Sequence, residues 1–191
     1  RAPIRNTNAL IHVLRCFEND NITPVDGSID PVRDKGIIDT ELQLKDLETI
    51  ENRLAKTQKQ AVVGGDKQAK RAVEILLQYK AVLEQGLSAR TVELEKEDRK
   101  LVADLNLLTD KPVLYVCNVD EKSAVTGNEH TRAVEAAIAD ERAEMLIVAA
   151  ATEADIAELD EYEERQMFLE EIGLKESGVA RLIKAAYKLL D

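Results

Sequence analysis

The apolar run at residues 113–117, Val-Leu-Tyr-Val-Cys, is the feature that most constrains how this chain folds. It is opened by Pro112 and is followed at once by Asn118 and, three residues later, by Glu121. A β-rich run of this length between polar flanks predicts a buried parallel strand. Ligands of open α/β sheets bind beyond the carboxyl ends of the strands. An amide, which both donates and accepts, near a carboxylate acceptor at such an end suits the edge of a nucleobase.

Two other apolar runs predict further strands of the same sheet. They lie at residues 9–17 and 145–148, and the near-continuous apolarity of the first favours a central strand. Between the second and third strands, residues 129–142 predict an amphipathic helix whose inner face consists of Ala133, Val134, Ala137 and Ile138. The strand–helix–strand order implies parallel strands with right-handed crossovers, so the expected fold class is α/β.

Helices are predicted in the rest of the chain. Residues 153–172 are expected to be acidic and helical, and a final helix is expected at 178–190 with Val179, Leu182, Ile183, Ala186 and Leu190 on its inner side. A short helix is predicted at 96–106, because acidic residues occupy its first turn.

A long helical hairpin is predicted between the first two strands. After a loop at 18–36, one helix is expected from about Asp39 to Val62 and a second from about Lys67 to Glu84, with Gly64-Gly65 between them. Apolar residues follow 3-4 spacing in both helices: Leu47, Ile50, Leu54 and Ala61, then Ala69, Ala72, Val73, Leu76, Tyr79 and Leu83. Each arm of this antiparallel coiled-coil hairpin is ~30 Å long at the rise of an α-helix.

Composition limits the classes of partner. The net charge is −11 and only six of the 191 residues are aromatic (four Tyr and two Phe), which argues against a chain that binds nucleic acid over its whole surface and against DNA specificity. No run approaches the ~18 apolar residues that span a membrane, so no membrane partner is expected. Cys16 and Cys117 are expected to be buried free thiols of a cytoplasmic protein.

The tip of the hairpin is a local basic pole. Its basic residues are Lys56, Lys59, Lys67, Lys70 and Arg71, against the single acid Asp66. Contact with RNA phosphates is one interpretation, and an ordinary solvated helix end is the other; both stay open. The acidic segment 153–176 is interpreted as a solvated helical face rather than a docking surface.

No metal or hydrolase site is expected. His12 lies in an apolar strand and His130 opens a helix, and neither has metal ligands at a suitable spacing. The serines lack a glycine elbow, so no catalytic triad is predicted.

With these segments together, the chain resembles the YchF branch of the Obg-like P-loop NTPases. The resemblance covers essentially the whole chain and rests on Asn118-x-x-Glu121 together with segments 15–20, 30–34, 108–112, 157–159 and 178–187. It implies part of a P-loop NTPase sheet with an inserted helical hairpin. It also implies ATP (or GTP) with Mg²⁺ as ligands, ATP preferred over GTP, and association with the ribosome. The basic residues of the tip (Lys56, Lys59, Lys67, Lys70 and Arg71) are the possible contacts with ribosomal RNA.

The base-recognition loop departs from the Asn-Lys-x-Asp of ordinary GTPases. In that motif the Asp accepts from two guanine N–H groups, and the Lys stem covers the base. Glu121 is one methylene longer, and Val119 replaces the Lys, so guanine preference should be lost. By resemblance, Asn118 and Glu121 read the base edge and Val119 packs on its face. Residues Ala149, Ala150 and Ala151 line its rear, although simple packing of a strand–helix junction remains the alternative for their side chains.

The phosphate machinery of the family is not found in these residues. The 191 residues contain no Gly-x-x-x-x-Gly-Lys-Ser/Thr and no Gly-Lys pair at all. The corresponding residues, including those that hold Mg²⁺, are expected before Arg1, so no catalytic residue is assigned here and the isolated chain should be inactive. The expected domains are a partial nucleotide-binding domain at 1–36 and 107–191, and an inserted helical hairpin at 37–106. An RNA- or protein-binding hairpin scaffold without hydrolytic activity is the competing interpretation.

Overall fold

A computed structural model of the chain describes residues 9–18 and 28–190. The described residues divide into two compact units. One comprises 36–112, and the other combines the described part of 9–35 with 113–190. The larger part of the loop expected at 18–36 lies outside the described residues. The assignment of domains to 37–106 and to the flanking segments stays a prediction.

Three parallel strands form the sheet, which confirms the α/β class. The strands are β1 (Leu10–Arg15), β2 (Val113–Asn118) and β3 (Ala143–Val148), in the order β1-β2-β3. Within the described ranges β1 is at the edge of the sheet, because it pairs only with β2, and a central position for it stays a prediction for the full protein. Its apolar run covers both faces of the strand: Leu14 is buried, whereas Ile11 and Val13 are 56% and 63% exposed.

One face of the sheet carries its buried core. Leu14, Cys16, Val113, Tyr115 and Cys117 pack there with Val134 of α4 (Glu129–Ala137). This helix is shorter than the expected 129–142, and Ala133 and Ala137 are exposed. Its buried residues are Thr131 and Val134, and Ile138, directly after the helix, is buried as well. The polar Thr131 therefore contributes to the core side of the helix, where hydrophobic periodicity predicted Ala133 and Ala137.

The acidic segment is helical, as expected, and forms two helices. They are α5 (Ala150–Ala157) and α6 (Tyr162–Glu171), and they are separated by a turn in which Arg165 Nη1 donates to the carbonyl of Leu159 at 2.7 Å. The break lets Ile156 of α5 and Leu169 of α6 share a small apolar cluster. A single straight helix does not fold back in this way.

The last helix, α7 (Gly178–Leu190), has the bounds that the sequence predicts. Its expected inner face is only partly covered, because Val179 and Ile183 are 66% and 52% exposed. An open groove of about 670 Å³ lies beside it, with Ile11, Val13, Val116, Val148, Tyr162 and Leu182 in its lining. None of the helices in the described ranges is long and apolar enough to cross a membrane.

The hairpin helices are α1 (Pro31–Val63) and α2 (Lys67–Glu84). The second has the predicted bounds, but the first begins at Pro31, not Asp39. Asp30 caps it, since its Oδ1 accepts from the backbone N–H of Arg33 at 3.0 Å. Proline is favoured at the first helical position because its missing N–H would be unpaired there anyway. The Asp-Pro pair is therefore a helix start within a segment that was expected to be a loop.

The interior of this unit agrees with the predicted apolar stripes. Ile50, Leu54, Leu76, Tyr79 and Leu83 are buried in one cluster, which also includes Ile75, a residue outside the predicted stripe. Helix α3 (Lys96–Val102) is shorter than expected and is followed by a 3-10 turn at 103–105. It ends at Asn106, whose φ of 49° is in the left-handed region that stops a helix.

Tyr79 makes stability pH-dependent at high pH. Burial, with a contribution from Asp110, raises the pKa of Tyr79 to about 12 from an ordinary value of 10.0. Because the folded pKa lies above the unfolded one, the neutral phenol stabilises the fold fully below pH ~10, and this contribution is lost as the pH rises towards ~12.

We therefore expect the Tyr79→Phe variant to lose less stability than the wild type between pH ~9 and pH ~11. Urea unfolding at both pH values measures this. Tyr187→Phe, at a tyrosine that is 70% exposed, is the control and should behave like the wild type. Equal pH dependence in Tyr79→Phe and wild type would contradict the assignment.

Candidate base-recognition site

The carboxyl ends of the three strands meet at one edge of the sheet. Asn118, the last residue of β2, is in register with Arg15 of β1 and with Val148 of β3. Its carbonyl accepts from the backbone N–H of Cys16 at 2.8 Å, and the N–H of Val119 donates to the carbonyl of Val148 at 2.9 Å. The chain segments that follow all three strands are thus held together by backbone hydrogen bonds.

Asn118 also joins two of the predicted site segments through its side chain. Its Oδ1 accepts from the backbone N–H of Ala150 at 3.1 Å. Within the described residues its Nδ2 has no hydrogen-bond acceptor. The amide is therefore oriented by one end and has its donor end available to a ligand.

Two carboxylates follow Asn118. Glu121 is exposed at the start of a 3-10 turn, Glu121–Ser123, and its carboxylate has no ion-pair or hydrogen-bond partner in the described part of the chain. Asp120 has a buried carboxylate oxygen, Oδ1, for which the described residues offer no hydrogen bond. Neither carboxylate has a donor among the residues that the structure describes, so each could accept from an N–H group of a base.

Val119 is buried in the core rather than exposed where a base would bind. Its side chain is 3% exposed and packs in the sheet core with Cys117, Ala124 and Val134. A side chain buried in this way does not cover the face of a base, so we drop that role for Val119. Its relevance is the absence of a lysine stem at this position.

The three alanines after β3 divide into two kinds. Ala149 is buried, and its carbonyl accepts from the N–H of Glu153, whereas Ala150 and Ala151 are exposed in the first turn of α5. Only Ala150 and Ala151 have surface to offer a ligand.

Three residues at this edge were not predicted from the sequence. Asn128 caps α4 and also contacts the end of β1. Glu153 accepts from the N–H of Gly178 at 2.7 Å, and Arg181 donates to the carbonyl of Ile147 at 2.7 Å, so both support the segment around Ala150. An Asn three residues before a threonine is a capping signal that the sequence does contain, but a contact across 112 residues has no local signature.

The buried side of this edge contains both cysteines as free thiols, as expected. The Cys16 thiol is hydrogen-bonded to the Cys117 sulfur, and this bond, together with burial, raises the pKa of Cys16. The hydrogen bond lowers the pKa of Cys117. No oxidation chemistry is assigned to them.

The second candidate site is the tip of the hairpin. Lys56, Lys59, Lys67 and Lys70 are exposed, and their ammonium groups have no ion-pair partner among residues 9–18 and 28–190. Two apolar side chains, Val62 and Val63, are 83% and 88% exposed beside them. The tip therefore presents both charge and apolar surface to solvent.

Arg71 differs from the four lysines. Its guanidinium donates to Asp98 at 2.7 and 3.1 Å and to Glu74 at 2.7 Å. These bonds raise the pKa of Arg71 and lower the pKa of Asp98. Because Arg71 is already paired within the protein, we remove it from the predicted RNA contacts.

Comparison with known proteins places these features in context. No protein-family model matches the chain. It is 48% identical over 189 residues to the ribosome-binding ATPase YchF of Bacillus subtilis and 44% identical over 188 residues to that of Escherichia coli O157:H7, covering 98% of this chain and 51% of each relative. The solved structure of the Schizosaccharomyces pombe YchF GTPase superposes with a TM-score of 0.85 at 25% identity, covering 97% of this chain and 51% of that one.

The parallel sheet, the polar groups at its carboxyl edge and the structural match define a P-loop NTPase fold. The chain spans about half the length of the curated relatives it matches. Over 98% of its own length, it matches about half of a protein of the YchF family.

Proposed function

We propose that the full protein is a ribosome-associated, ATP-hydrolysing NTPase and that this chain contributes its base-recognition edge and its ribosome-contacting hairpin. The observation that carries the first part is the pairing of Asn118 Oδ1 with the N–H of Ala150, which orients the amide three residues before Glu121, a carboxylate without a partner among the described residues. The relatives named ribosome-binding ATPase YchF support the second part.

The edge favours adenine over guanine in this proposal. Glu121 is placed to accept from the 6-amino group of adenine, while Asn118 Nδ2 donates to a ring nitrogen. Guanine, in contrast, needs a carboxylate at the reach of aspartate and gains from a lysine stem that Val119 does not supply. ATP is thus the preferred nucleotide, with GTP as the weaker ligand.

Phosphate and metal chemistry are not assigned to these residues. The sequence has no Gly-Lys pair for a phosphate-binding loop. Within the described ranges, no group of three or more His, Cys, Asp or Glu side chains is arranged to hold a metal ion. We therefore propose that Mg²⁺ and the γ-phosphate are held by other parts of the full protein, and that the protein acts in the cytoplasm, where ribosomes are found.

Release of phosphate from ATP by the full protein, with and without purified bacterial ribosomes, tests this function. We expect slow hydrolysis of ATP and co-sedimentation with ribosomes. A protein that binds neither ATP nor ribosomes would contradict the proposal.

Charge reversal at the tip tests the hairpin. Changing Lys59, Lys67 and Lys70 to Glu should weaken ribosome association about tenfold or more at low salt and reduce its salt dependence, because fewer counterions are released. Co-sedimentation across salt concentrations measures both quantities.

The matched control reverses three exposed lysines that are not part of the hairpin tip: Lys45, Lys175 and Lys188. The net charge of the two variants is identical, so a general charge effect appears in both. If the control weakens ribosome association as much as the tip variant does, the tip is not the contact.

A further inference from the structure

Asn128 uses the acceptor end of its side chain to cap α4. Its Oδ1 accepts from the N–H groups of His130 at 2.9 Å and Thr131 at 3.0 Å. Thr131 returns the contact, since its Oγ1 accepts from the N–H of Asn128 at 2.9 Å. This reciprocal arrangement is a capping box, and it uses only the oxygen of the Asn128 side-chain amide.

The donor end of the same side chain points to a different part of the fold. Asn128 Nδ2 donates to the carbonyl of Cys16 at 2.8 Å and approaches Ser123 Oγ at 3.4 Å. Cys16 follows β1, and its own N–H donates to the carbonyl of Asn118. Ser123 closes the 3-10 turn that Glu121 opens. One amide thus contacts the backbone next to Asn118 and the turn that carries Glu121.

Capping alone does not require asparagine. Aspartate and serine cap helices about as well, because the cap needs only an oxygen acceptor. Only the amide also offers N–H donors to the carbonyl of Cys16 and the hydroxyl of Ser123. The donor end therefore has a role separate from helix stability.

We propose that Asn128 is a positioning residue of the base-recognition site. Through Nδ2 it fixes the end of β1 against the Glu121–Ser123 turn, so that Asn118 and Glu121 address the same base edge. This inference rests on the proposed nucleotide-binding function and adds a residue outside the Asn-x-x-Glu motif.

The Asn128→Asp variant separates the two roles. The carboxylate still caps α4, and its negative charge is stabilising at the N-terminus of a helix. It has no N–H to donate to the carbonyl of Cys16, however, and is repelled by that carbonyl. With the full protein we expect a melting temperature close to that of the wild type and ATP affinity about tenfold weaker by calorimetric titration. The ratio of GTP to ATP dissociation constants should also fall towards one, since Glu121 loses its fixed position.

Thr131→Ala is the matched control. It removes the reciprocal half of the capping box and leaves the Nδ2 contacts in place, so it should lower the melting temperature while leaving ATP affinity within about twofold. If Asn128→Asp does not fold, Asn128→Ser, which caps with a hydroxyl, provides the same comparison.

The possible outcomes test the positioning role of Asn128 separately from the proposed nucleotide-binding function. A wild-type protein that does not bind ATP overturns the proposed function and this inference together. Wild-type binding of ATP with an unchanged affinity and nucleotide ratio in the Asn128 variant overturns the inference alone. Equal losses of affinity in the Asn128 and Thr131 variants would show a purely structural role and would also overturn it.

Discussion

Replacing Asp46 by alanine is expected to lower the free energy of unfolding by about 3 kcal/mol or more. Asp46 is fully buried in α1, and its carboxylate accepts from the N–H of Leu108 at 2.8 Å and from both the N–H and the hydroxyl of Thr109 at 2.7 Å. The Thr109 hydroxyl in turn accepts from the N–H of Ala89 at 2.8 Å. Removing the carboxylate leaves three buried donors without an acceptor, at about 1–3 kcal/mol each.

Urea unfolding followed by circular dichroism measures this loss. Glu48→Ala, two residues along the same helix and exposed, is the control and should change stability by no more than about 0.5 kcal/mol. Asp46→Asn should lose less stability than Asp46→Ala and more than Glu48→Ala. Its amide keeps one oxygen acceptor but points N–H groups at backbone N–H donors. Equal stability of the Asp46→Ala and Glu48→Ala variants would refute the role of Asp46.

Replacing Asn118 by alanine is expected to weaken ATP binding about 100-fold. The change removes the hydrogen bond from Ala150 that orients the loop and the donor that remains for the base. The lost hydrogen bond to the base and the lost orientation of the loop, at ~1.4 kcal/mol each, correspond to this factor. Calorimetric titration of the full protein measures the affinity, and thermal unfolding checks that the fold is intact.

Asn52→Ala serves as the control for Asn118. Asn52 is an exposed asparagine of the helical hairpin and should leave ATP affinity unchanged. A loss of less than about threefold in Asn118→Ala would mean that the amide does not contact the base.

Local sequence signals predicted helix and strand ends that are marked by glycine, a capping residue or a change from apolar to polar residues. Gly64-Gly65 separates two helices as expected, and Asp66 caps the second by accepting from the N–H of Gln68 at 2.9 Å. The apolar run before Asn118 forms the predicted strand, and its polar end lies at the predicted sheet edge. These features depend on residues close to one another in the chain.

Other features depend on contacts between distant residues, which the hydrophobic periodicity of the sequence does not predict. The helix that begins at Pro31 was expected to be a loop because proline and aspartate are common in both settings. Val119 and Arg71 were assigned to ligands by their position in the sequence, yet one is buried in the sheet core and the other is paired with Asp98. Side-chain direction and ion pairing are decided by residues distant in the chain.

The same limit explains why Asn128 escaped prediction. Its cap of α4 has a recognisable local pattern, whereas its bond to Cys16 joins residues 112 apart. The proposed site thus consists of a motif visible in the sequence, Asn118-x-x-Glu121, and a support visible only in the fold.

In the proposed site, the sheet edge selects adenine over guanine. Calorimetric titration of the full protein with ATP and with GTP, each with Mg²⁺, measures this selectivity. We expect a smaller Kd for ATP than for GTP, and a smaller difference between the two Kd values in the Glu121→Asp variant. Tighter binding of GTP than of ATP by the wild-type protein would contradict it.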